Sequence, residues 1–92
     1  FTTEFKGLEL ENIDATDKKK FKIDYGVRIK DINNENLEPY RSQLKGSIIL
    51  SVDNVKATDL ETISKFLNNK DEKQSVSIQM INGIGQIIQI II

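Results

Sequence analysis

The chain has no cysteine and no histidine among its 92 residues. Without cysteine, neither disulfides nor thiolate metal sites can hold the fold. Without histidine, the usual general base of serine and cysteine hydrolases and the commonest metal ligand are both missing. Carboxylates such as Asp53, Asp59 and Glu61 remain, but no spacing fixes a pair of them in one cleft, and they read as solvated surface groups. Catalysis by this segment, a metal site and a bound cofactor are therefore not expected. A strong field of one sign is also missing. The formal net charge is −1, with both signs interspersed, so nothing favours nucleic acid. The one cationic cluster, Lys18-Lys19-Lys20, is short and reads as a solvated helix face. Long apolar runs are lacking too. The tail "QIIQIII" is far too short to cross a bilayer, and no signal peptide is visible. The first residue is Phe1 rather than methionine, which suggests a piece of a longer protein.

What is present fits one small globular domain with a modest core, at 38% hydrophobic and 29% charged residues. "FKGLELENI" alternates Leu8 and Leu10 with Glu9 and Glu11, as a half-buried strand does. Asp14 or Thr16 then offers an N-cap for a short helix, with Phe21 and Ile23 turned inward. "GVRIKDI" reads as a strand, and Pro39 suits the first turn of a short helix ending near Leu44. In "KGSIILSVDNVKA", Lys45-Gly46 is a turn, Ile48 to Val52 a strand, and Asp53-Asn54 a tight hairpin turn leading into Val55. "TDLETISKFLNN" is the best helix: Thr58 is the expected cap, Glu61 completes a capping box, and Leu60, Ile63, Phe66 and Leu67 repeat at helical spacing. Val76, Ile78 and Met80 alternate with polar residues, and Asn82 to Gly85 turns the chain into a closing strand. In that strand Ile88, Ile90 and Ile92 form one face, while the other, Ile87, Gln89 and Ile91, is more apolar than exposure requires. About six strands and two or three helices are expected, mostly β with α, as a partly open β-barrel or sandwich capped by helices.

This order resembles a PDZ domain of the bacterial, permuted type, as carried by HtrA-like (DegP/DegQ) periplasmic serine proteases, and in particular their C-terminal PDZ domain. The stretch that carries the likeness best is "LKGSIILSVDNVKATDLETISKFL", Leu44 to Leu67: lysine-glycine, a strand, a turn, and the helix that walls the family's groove. Ser47 stands where an aspartate is usual, and Asp53-Asn54 where asparagine-glycine is usual. The likeness spans residues 7–92, leaving 1–6 as linker.

The resemblance implies peptide capture by strand addition. In the family a glycine-bearing loop offers backbone N–H groups to a peptide's C-terminal carboxylate, and here it maps to Asp24, Tyr25, Gly26 and Val27. The peptide would pair along Gly26 to Lys30, with Arg28, Ile29, Lys30, Asp59, Ile63 and Phe66 in the groove. Asp24 would oppose a carboxylate unless Arg28 offsets it. The implied partners are C-termini or extended segments of misfolded proteins, together with protease and PDZ domains of the same chain. The implied parent is an oligomeric serine endopeptidase of the periplasm or cell envelope. An alternative from the same residues is an assembly module docking through Ile87 and Ile91, and a third is the PDZ domain of another envelope protein.

Overall fold

The structure, a computed structural model, describes residues 2–71 and 73–92. Its elements run β1 (Thr2–Phe5), β2 (Leu8–Asn12), α1 (Ala15–Phe21), β3 (Val27–Ile32), a 3-10 segment (Glu35–Tyr40), α2 (Arg41–Leu44), β4 (Ile48–Val52), β5 (Val55–Lys56), α3 (Leu60–Asn68), β6 (Ser77–Ile81) and β7 (Ile87–Ile91). All seven strands belong to one antiparallel sheet of order β1-β2-β3-β4-β6-β7, with β5 paired to β4. The protein is mostly β with some α. The strand beyond the expected six is β1, formed by residues read from sequence as linker: Thr2 to Phe5 pair with Glu11 to Leu8, and Phe5 is buried.

Local chemistry sets the element boundaries. Asp14 caps α1 through a reciprocal box with Asp17, and the helix ends where Lys22 turns left-handed at φ 55°. Asp53 and Asn54 both take positive φ (49° and 68°), joining β4 to β5 in the tight turn their side chains favour. The cap of α3 is Asp59 rather than Thr58, its carboxylate accepting the Thr62 N–H at 2.7 Å. The Leu60 N–H is taken from outside the helix by Asn12 Oδ1 at 2.9 Å, which ties the start of α3 to the end of β2.

The core lies between the sheet and α3. Leu8, Leu10, Val27, Ile29, Leu60, Ile63, Val76, Ile78 and Met80 meet there, so each alternating strand reading is realised with its apolar face inward. On the other side of the sheet, Arg28 fastens α1. Its guanidinium donates to Glu11 and to Asp17 Oδ2 (3.0 Å), and Asp14 lies 3.9 Å away.

Candidate functional site

Gly26 explains itself on geometric grounds. It has φ +137°, and a Cβ there would lie 2.4 Å from Ile48 Cγ2 and 3.3 Å from the Ile49 carbonyl oxygen. The bare backbone is therefore used by the chain's own β4, which packs against it, and the glycine meets both a φ requirement and a close approach. Beside it, Asp24 is exposed, and Tyr25 is half-buried with Lys56 Nζ 4.3 Å from its ring centroid.

The strand that follows Gly26 lies inside the sheet. β3 pairs with β2 from Val27 to Ile32 on one side. On the other it pairs with β4 at Val27 and Arg28, and the Ile29 N–H and C=O are bonded to Ser47 and Gly46. Both edges of residues 27–29 are occupied, so a strand added along Gly26 to Lys30 would meet backbone already paired at its centre. Val27, Ile29 and Ile63 are buried core residues, not walls of an open groove. Arg28 is engaged by Glu11 and Asp17, whose two carboxylates already outweigh its single charge, while Lys30 sits 3.6 Å from Glu9. Phe66 is half-buried, with Lys70 Nζ 5.5 Å from its ring centroid. Asp59 acts as helix cap, and the Thr62 backbone N–H holds its carboxyl below the usual carboxylate range.

One strand away, β1 runs antiparallel to β2 along its outer edge, between β2 and α3. Its other flank meets α3, where Ser64 Oγ donates to Thr3 Oγ1 at 3.3 Å. Phe5, only 5% exposed, enters the same core cluster as Leu8, Leu10 and Ile63. The chain then reverses at Lys6 and Gly7, with φ 52° and 81°. A Cβ at Gly7 would lie 2.9 Å from the backbone of Asn33 and Asn34, and those residues grip the turn. The Asn33 N–H donates to the Gly7 carbonyl and the Asn34 side chain to the Lys6 carbonyl at 2.8 Å. Lys6 Nζ in turn reaches the Ile92 carbonyl at 3.1 Å. Thr3, Phe5, Lys6, Gly7 and Ser64 are thus the residues sequence reasoning passed over. The signal available was a glycine directly before the first alternating strand, the same kind of signal read at Gly26.

At the opposite end of the sheet, Ile87 and Ile91 are 62% and 72% exposed, and Ile84 in the preceding turn is 79% exposed. Neither helix nor strand covers them among the described residues, while Ile88 and Ile90 pack against the core. A cleft of about 540 Å³ lined by Lys6, Asn34, Leu37, Ile91 and Ile92 separates the β1–β2 turn from the end of β7. No family model and no curated protein matches the chain.

Proposed function

We propose that this is a PDZ-like protein-interaction domain that takes an extended polypeptide segment as an added strand, in the slot between β2 and α3. The observation that carries this reading is the chain's own β1. Four residues of ordinary sequence lie there with strand pairing on one side, a helix on the other and an apolar anchor in the core. Such a slot takes its affinity from main-chain hydrogen bonds and its preference from one buried side chain, here at the place of Phe5. A ligand whose last residue replaces Phe5 ends at the Lys6–Gly7 turn, where consecutive backbone N–H groups and the Lys6 ammonium suit a terminal carboxylate. The barrel-like PDZ arrangement, the HtrA-like parent in the cell envelope and non-catalytic capture of misfolded chains follow from the family resemblance and belong to this proposal. A second reading, an assembly module, is favoured by the uncovered Ile87 and Ile91.

The test is calorimetric titration with the peptide Thr-Thr-Glu-Phe, as free acid and as amide, into the wild-type domain and a Phe5→Ala variant. Releasing the anchor of β1 should unmask a dissociation constant near micromolar, about −8 kcal/mol. Amidation should weaken it at least tenfold, since a charge-assisted hydrogen bond contributes roughly 1.5–3 kcal/mol. Phe5→Leu, which keeps an apolar anchor, serves where Phe5→Ala does not fold. Equal affinities for acid and amide would remove the carboxylate role. No binding to any folded variant would leave the assembly reading.

A further inference from the structure

The geometry points to β7 as a self-complementary edge through which two copies of this chain pair, Gln89 against Gln89, into one continuous sheet. It is independent of how the β2–α3 slot is used. β7 ends the strand path, and its pairing to β6 is framed by the reciprocal Val76–Ile92 bonds and by the Asn82 N–H on the Gln86 carbonyl. Antiparallel alternation then turns the N–H and C=O groups of Ile87, Gln89 and Ile91 away from β6, toward the free side. Their side chains lie on the exposed face, so the unpaired backbone and the uncovered isoleucines belong to the same residues.

Two features of the sequence choose a second copy as the occupant. Residues 87–91 read Ile-Ile-Gln-Ile-Ile, the same in both directions. A twofold axis through Gln89 sets Ile87 opposite Ile91 of the second copy and the reverse, and the palindrome makes every such pair like against like, isoleucine on isoleucine about a central glutamine pair. Natural edges are blunted by lysine, proline or inward charge. Here no charged residue and no proline occurs anywhere from Gln74 to Ile92, so nothing in the β6–β7 hairpin repels its twin. The pairing also closes on itself. The far end of the sheet is bordered by α3, and a dimer joined at β7 uses up the open edge instead of propagating it.

Because the chain lacks cysteine, single thiols map the register. Gln89→Cys should form a disulfide-linked dimer under mild oxidation, as the two Cα atoms at the axis would be about 5.5 Å apart. Ile87→Cys should not link to itself, since its twin lies four residues along the strand, about 13 Å away. A mixture of Ile87→Cys and Ile91→Cys should link. In sedimentation equilibrium the unmodified chain should show a monomer–dimer equilibrium, and Gln89→Lys, placing two cations at the axis, should raise its dissociation constant at least tenfold with an unchanged circular dichroism spectrum. A monomer at every concentration up to hundreds of micromolar, equal cross-linking of all three thiols, or open-ended particle growth would overturn the proposal.

Discussion

Replacing Gly26 with alanine adds one methyl group, and two separable effects oppose it. The first is conformational. At φ +137° an L-residue sits in a region open essentially to glycine, at about 1–3 kcal/mol. The second is steric: the new Cβ falls 2.4 Å from Ile48 Cγ2, inside a fully buried neighbourhood, and overpacking of that kind costs about 1–3 kcal/mol. Together they amount to about 2–6 kcal/mol, against roughly 5–14 kcal/mol for a domain of this length. The melting temperature should fall by roughly 10 °C or more. Urea unfolding followed by circular dichroism reads the loss directly. The two terms are distinguished by Ile48→Leu, which removes the offending Cγ2 at nearly constant volume. In the double variant the steric part should be recovered and the φ part should not. A Gly26→Ala midpoint within about 0.5 kcal/mol of the parent would refute the account and restore a free backbone at this loop. A double variant whose losses simply add would assign the whole cost to φ.

Acid should destabilise the domain in a defined window. Asp14, Asp31, Asp53 and Asp59 all have carboxyl groups held below the usual range by hydrogen bonds: Asp14 from the Asp17 N–H, Asp31 from Arg41, Asp53 from Lys70 and the Ser77 N–H, and Asp59 from the Thr62 N–H. A folded-state value below the unfolded one means stability present above about pH 4 and lost as pH falls through the lowered values. The urea midpoint should therefore fall below about pH 4, and Asp53→Asn should flatten part of that limb, whereas an unchanged slope would remove Asp53 from it. Asp59→Ala should lower the urea midpoint in the same assay while Thr58→Ala leaves it nearly unchanged; the reverse order would return the cap to Thr58. Thr-Thr-Glu-Phe added in trans should raise the melting temperature of Phe5→Ala more than that of the parent, and equal shifts would mean that β1 and the peptide use different places.

The period of each long element was legible because burial follows it. Val76, Ile78 and Met80 alternate inward, and Leu60, Ile63 and Leu67 fall on the buried stripe of α3. The errors occur where a distant residue decides. Thr58 and Asp59 are both good caps, and Asn12, 48 residues before Leu60, bonds the Leu60 N–H in the helix's first turn. Thr2 to Phe5 is too short to announce itself as a strand and exists as one because β2 offers an edge and α3 a flank. Gly26 was visible as a bare position, but its neighbour, Ile48, lies 22 residues on in the chain, and no local pattern distinguishes a glycine bared for a ligand from one bared for a core side chain. The same ambiguity put the expected groove along β3, whose residues 27–29 are already paired on both sides.

The two ends of the sheet are treated in opposite ways. At the β1 end the edge is flanked by a helix, and charged residues such as Glu4, Glu9 and Glu11 line the outermost pair of strands. At the β7 end no helix or strand covers the edge among the described residues, and the hairpin itself carries no charge while its isoleucines are exposed. An open, uncharged edge of that kind is an aggregation hazard in a free monomer, so its persistence beside a carefully closed one implies that something covers it. A twofold partner is the cover that the palindrome fits, and it has a consequence for binding. On the proposals above, joining two copies at β7 gives one assembly two β2–α3 slots, and the Lys6–Ile92 contact sets the Lys6–Gly7 turn of each slot beside the end of its own β7. If each slot takes an extended segment as proposed, a chain held at one slot keeps its further segments near the other, and two weak sites gain affinity through effective concentration without any added contact.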